Sequence, residues 1–95
     1  MAEEIPNEII KPDIDETTSV GVLCRVVLFN DEWHTFEEVI EQLIKAVSCS
    51  FETARGYAFE VHVKGKAIVF EGELAQCLRV TSILEEIALH TQILS

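Results

Sequence analysis

Phe29-Asn30-Asp31-Glu32-Trp33-His34-Thr35-Phe36-Glu37-Glu38-Val39-Ile40 decides the fold of this 95-residue chain. The apolar run Val26-Val27-Leu28-Phe29 stops at Asn30, and a helical pattern resumes at Phe36. Thr35 followed three residues later by Glu38 is a capping box. The hydroxyl takes a free amide of the first turn, and the carboxylate reaches back to the cap. The stretch therefore reads as strand, acidic loop and capped helix. A loop held at both ends by regular structure is a common place for a binding group.

Before the loop, Val22 to Phe29 is apolar or β-branched except for Arg25, as suits a central strand. After it, Phe36, Val39, Ile40, Leu43, Ile44 and Val47 recur at helical spacing. Ser50 is a cap for a second helix, from about Phe51 to Val63, which Gly65 ends as a left-handed C-cap. Ala67 to Phe70 reads as a short strand and Glu71-Gly72-Glu73 as a turn. Leu74 to Leu89 reads as a third helix with a wide, buried apolar face, and Gln92 to Leu94 as an edge strand. The order is β-α-α-β-α-β. The expected fold is α+β, a two-layer α/β sandwich with a small three-stranded sheet and three helices on one face.

One domain is expected at this length, burying ~60–65% of its unfolded surface. Residues 1–20 hold six acids, one lysine and both prolines, and read as a flexible acidic tail. Residues 21–95 form the domain. Seventeen acids against seven bases give a net charge of -10, which opposes nucleic-acid binding and favours a cationic partner. No apolar run reaches the length of about eighteen residues that marks a membrane span. The N-terminus lacks the basic and apolar regions of a signal peptide. Three widely spaced cysteines (Cys24, Cys49, Cys77) fit neither a disulfide framework nor a Cys-x-x-Cys site, so reduced cytosolic thiols are expected.

Asn30, Asp31 and Glu32 put acceptor oxygens in one place. If the first two helices pack as a hairpin, the start of one lies beside the end of the other, and His62 meets the loop. Two carboxylates, an amide oxygen and an imidazole suit a primary ammonium, which has three donors. Phe36, Val39, Ala58 and Val61 supply an apolar neighbour. A peptide's α-amino terminus offers that combination of amine and side chain. The plainer alternatives are a turn at Asn-Asp-Glu, a histidine on a helix dipole, and a stripe that is simply core. His34, His62, Asp31 and Glu32 are also conceivable zinc ligands of a small metal-dependent hydrolase, although no helix-borne His-x-x-x-His pair is present. A third alternative is an interaction module that reads no N-terminus. No phosphate loop, nucleophile elbow or oxyanion hole is apparent, so no enzyme and no cofactor is expected.

Val26-Val27-Leu28-Phe29-Asn30-Asp31-Glu32 and Glu60-Val61-His62-Val63-Lys64-Gly65-Lys66-Ala67 together resemble the ClpS family of Clp protease adaptors. That family's pattern is a hydrophobic strand, Asn-Asp-Asp, and later Val-His-x-x-Gly-x-Ala. The likeness runs from about Val22 to Leu89. It implies a cytoplasmic adaptor that binds N-degron substrates with a bulky hydrophobic first residue and a free α-amino group. Such adaptors deliver substrates to a Clp-type AAA+ unfoldase (ClpA- or ClpC-like) with the ClpP peptidase. The amine site carries over as Asn30, Asp31, Glu32 and His62. The side-chain pocket carries over as Leu28, His34, Phe36, Val39, Ala58 and Val61. Glu32 replaces the usual second Asp, His34-Thr35 stands where Thr-Pro is usual, and Phe36 and Ala58 stand where methionines are common. The His34-Thr35-Phe36-Glu37-Glu38-Val39 run is closer to the ClpS-like region of eukaryotic N-recognins. Ala58 enlarges one pocket wall and Phe36 fills another, so β-branched first residues are expected to be better tolerated.

Overall fold

Strand β1 (Leu23–Phe29) lies at the centre of the sheet and pairs antiparallel on both sides. The computed structural model describes residues 23–95. The acidic segment 1–20, with Gly21 and Val22, lies outside the described residues. Two helices follow β1: α1 (Phe36–Val47) and α2 (Phe51–Lys64). Then come β2 (Lys66–Glu73), α3 (Leu74–Leu84), a 3-10 turn at Glu85–Ile87 and β3 (Thr91–Leu94). The sheet order is β2-β1-β3. The result is the expected α+β architecture, a three-stranded antiparallel sheet with three helices.

Side chains alternate across β1 because a strand has a period of two. Cys24, Val26 and Leu28 join the core, while Arg25 and Phe29 on the opposite face are only half-buried. Ala67 and Val69 of β2 enter the same core. The helices close over it with Ile40, Leu43 and Ala46 from α1, Ala54, Ala58 and Val61 from α2, and Cys77, Val80 and Leu84 from α3. The small side chains Ala54 and Ala58 let α2 lie close to its neighbours. Removing this apolar surface from water is the main driving force, at about 25 cal/mol per Å².

Local signals place the helix ends. Thr35 Oγ1 accepts from the Glu38 amide at 3.1 Å, and Glu38 Oε1 accepts from the Thr35 amide at 2.8 Å, completing the capping box. The Ser50 hydroxyl accepts from the Thr53 amide. Gly65, at φ 90°, ends α2 and donates its amide to the Val61 carbonyl. Gln42, buried on α1, donates to the Ile83 carbonyl at 2.7 Å and ties α1 to α3.

Two expected boundaries shift. Strand β2 runs on through Glu71, Gly72 and Glu73, which pair with Arg25, Cys24 and Leu23 and satisfy the first half of β1. A Cβ on Gly72 would meet Gln76 Oε1 at 2.6 Å and the Phe70 ring at 2.8 Å, so any side chain there would force these two to shift. The third helix stops at Leu84 instead of Leu89. Ala88 adopts a left-handed conformation (φ 66°), and its amide returns to the Glu85 carbonyl, which turns the chain into β3. Leu74 and Leu78 of α3 are exposed, so its apolar face is narrower than the sequence pattern implies.

Candidate functional site

The end of β1 meets the end of α2 through the backbone. Phe29 pairs with Lys66, and the Asn30 amide donates to the Gly65 carbonyl at 2.9 Å. Gly65 is three residues beyond His62, so this contact brings the loop and the last turn of α2 together. The capping box fixes the other end of the loop at Thr35. Between these anchors lies a pocket of about 460 Å³, lined by Asn30, Asp31, Glu32, His34, Thr35, Phe36, Val39, Ala58, Val61 and His62.

The structure thus brings nine of the sequence-selected residues to one pocket; the tenth, Leu28, is absent from the lining. Its side chain is fully buried in the core. Leu28 shares the inward face with Cys24 and Val26, so its contribution is to the core under the site. Thr35, read from the sequence only as a cap, also lines the pocket. Asn30, Glu32 and His62 are exposed at the rim. Phe36 and Val39 on α1 are half-buried and face the buried Ala58 and Val61 of α2. A polar rim therefore adjoins an apolar wall.

Asp31 is engaged within its own loop. Its Oδ1 accepts from the Trp33 amide at 2.9 Å and from the His34 amide at 3.0 Å. Its Oδ2 lies 2.7 Å from His34 Nδ1. Partial burial favours the neutral acid, but the two amides and the His34 ring outweigh it and hold the carboxyl below its ordinary pKa. The other ring nitrogen of His34 contacts the Ile87 carbonyl oxygen of the 3-10 turn. For His34, burial disfavours the charged ring. Asp31, the Ile87 carbonyl and the Glu38 charge together outweigh that penalty and raise its pKa. Neither the inward turn of Asp31 nor the contact with Ile87 is legible in sequence spacing.

Trp33, between these two residues, is 88% exposed. Among the described residues, no group of three or more His, Cys, Asp or Glu side chains is placed to hold a metal ion. No helix of the described residues is long and apolar enough to cross a membrane. The Cys24, Cys49 and Cys77 thiols are free.

The family model for ATP-dependent Clp protease adaptor protein ClpS matches residues 22–92. The ATP-dependent Clp protease adapter protein ClpS of Salmonella gallinarum is 32% identical over 72 residues, covering 74% of this chain and 68% of that protein. The human E3 ubiquitin-protein ligase UBR2 is 41% identical over 58 residues, covering 61% of this chain. The match spans only 3% of that ligase's length. Among solved structures, Agrobacterium tumefaciens ClpS2 bound to L-phenylalaninamide superposes with a TM-score of 0.65 at 25% identity, covering 75% of this chain and 93% of that one. The chain belongs to the ClpS family of ATP-dependent Clp protease adaptor proteins.

Proposed function

We propose that the pocket receives the first residue of an N-degron substrate, its α-ammonium at the polar rim and its side chain against the apolar wall. The adaptor then delivers that substrate to a Clp-type AAA+ unfoldase, ClpA- or ClpC-like, coupled to the ClpP peptidase in the cytoplasm. The observation that carries this is the convergence of Asn30, Glu32 and His62 with Phe36, Val39, Ala58 and Val61 around one pocket of about 460 Å³. The ligand named for the A. tumefaciens ClpS2 structure, an amino-acid amide with an apolar side chain, has the matching chemistry.

The roles divide by chemistry. Asn30 offers an amide oxygen, Glu32 a side-chain carboxyl and His62 a ring nitrogen as acceptors for the three ammonium donors. Asp31 shapes the loop from which Asn30 and Glu32 project. Burying an apolar side chain contributes roughly 1.5–3 kcal/mol. Each charge-assisted hydrogen bond contributes about 1.5–3 kcal/mol before ordering costs. Together they give dissociation constants around the micromolar level, or about -8 kcal/mol. Catalysis is not part of the proposal, because an adaptor needs only to hold and release.

The test is a fluorescence-anisotropy titration of Leu-, Phe-, Ile- and Met-starting peptides against wild type and His62→Ala. Weaker binding of every good peptide to the variant is expected. Unchanged affinity would reject the role given to His62.

A further inference from the structure

The His34 ring lies between two acceptors. Nδ1 is 2.7 Å from Asp31 Oδ2, and Nε2 contacts the carbonyl oxygen of Ile87 in the 3-10 turn. A carbonyl oxygen can only accept, and so can an ionised carboxylate. Neutral imidazole has a single N–H and would set a lone pair against one of these oxygens. A protonated Asp31 would relieve the conflict, but the Trp33 and His34 amides already donate to its other oxygen. Those donors favour the ionised carboxylate. Two N–H donors on the ring are therefore what the geometry demands. The pair is well shielded, with 12% and 17% of the two side chains exposed.

This ring joins parts of the chain that nothing local would hold together. The loop is anchored at its start by Asn30 on Gly65 and at its end by the Thr35–Glu38 capping box. Its middle is fastened to the 3-10 turn, 53 residues further along the chain, through His34 and Ile87. Resting on the amine-binding function proposed above, we infer that His34, as an imidazolium, is a positioning residue for the amine site. It clamps the Asp31 turn to the Glu85–Ile87 turn and so fixes Asn30 and Glu32 where the ammonium arrives. The clamp also divides the two acids. Asp31 is neutralised by the ring, and Glu32 is left as the carboxylate for the ligand.

The charged groups around the ring are mostly acidic. Asp31 faces it from the loop, and Glu38 acts on it from α1. The 3-10 turn adds Glu85, which accepts from Thr91, and Glu86, which pairs with Lys45. Glu32 and His62 share the pocket with it. Lys45, held by Glu86, is the cation among these groups, and the Asp31 and Glu38 charges favour the protonated ring. As pH rises through the raised pKa of His34, one N–H is lost and the clamp opens.

Two measurements on the full chain test this. In the first, nitrogen NMR of the unliganded wild type reads both ring nitrogens of each histidine directly. His34 is expected to be doubly protonated at about pH 6.5, where an ordinary histidine is half titrated. A neutral His34 ring at that pH overturns the clamp. In the second, anisotropy titrations of a Leu-starting peptide and its acetylated form compare wild type with His34→Ala from about pH 6 to about pH 9. The variant is expected to bind the free peptide about tenfold more weakly at the acid end, the cost of roughly one charge-assisted hydrogen bond. The gap should close at the alkaline end, where wild type has lost its own clamp. Titration of the peptide amine near ~8 affects both proteins alike. A ratio that stays constant with pH, or no loss at all, overturns the role of His34 while leaving the amine function intact. If wild type binds free and acetylated peptides equally, the amine function itself fails and the positioning role falls with it.

Discussion

Replacing Gly65 with Ala tests the junction on which the site depends. Gly65 has φ 90° and ψ -18°, its amide donates to Val61, and its carbonyl accepts from Asn30. A Cβ at this position would meet nothing within 4 Å, so there is no steric clash to add. The cost is conformational: an L side chain in the left-handed region loses about 1–2 kcal/mol. Leaving that region instead would break both hydrogen bonds, each worth about 0.5–1.5 kcal/mol. Either way, Gly65→Ala should destabilise by about 1–2 kcal/mol and lower Tm by roughly 5–15 °C for a domain of this size. Gly56 is the control. It lies within α2, also with nothing within 4 Å of a Cβ, and carries no left-handed φ. Gly56→Ala should stabilise by about 0.5–1 kcal/mol. Thermal unfolding followed by circular dichroism compares the two. Peptide affinity, measured well below Tm, should fall for Gly65→Ala and hold for Gly56→Ala. Shifts of the same sign, or a neutral Gly65→Ala, would refute the account of the junction.

Three further outcomes are expected. Ala58→Met would fill the pocket wall opposite Phe36 and Val39; if it displaces two ligand carbons at about 0.8 kcal/mol each, Ile- and Val-starting peptides weaken by roughly tenfold. An unchanged Ile-to-Leu affinity ratio in competition anisotropy would contradict this. Linkage sets the pH dependence of stability. The raised pKa of His34 makes its contribution complete below the unfolded value of about 6.5 and lost as pH rises through the folded one. The depressed pKa of Asp31 makes its contribution present above its unfolded value of about 3.9 and lost as pH falls through the folded one. The urea-midpoint difference between wild type and His34→Ala should therefore be largest near about pH 5–6 and shrink upward; a difference that grows toward alkaline pH contradicts the clamp. Finally, burial pushes the Cys77 thiol up, so alkylation monitored by mass spectrometry should modify half-buried Cys49 well before Cys77. Equal rates would mean that the core opens more readily than its packing implies.

Much of the scaffold is legible in local chemistry. Thr35 and Glu38 announce the start of α1, Ser50 the start of α2 and Gly65 its end, because each satisfies or terminates a helix by short-range bonding. The meeting of His62 with the acidic loop follows from the hairpin of helices. The backbone bond from Asn30 to Gly65 makes it closer than packing alone would. Leu28 shows where resemblance outran periodicity. The two-residue alternation with Cys24 and Val26 assigns it to the core face, as found.

What escaped the sequence depends on distant partners. The hydrogen bonds of Asp31 form only when the loop closes on it, and the contact of His34 depends on Ile87, 53 residues further along. The extension of β2 through Gly72 comes from the pairing needs of β1 and overrides the turn chemistry of Glu71-Gly72-Glu73. The end of α3 is hidden because Ala88, with no glycine to mark it, turns left-handed within an apolar pattern.

The most direct measurement is the affinity of wild type for one Leu-starting peptide with its amine free and with it acetylated. Acetylation removes the charge and two donors and leaves the rim acceptors unpaired. Weakening by about a hundredfold or more is expected, the equivalent of two lost charge-assisted bonds. Equal affinity for the two forms would contradict the claim that this pocket reads a free chain end.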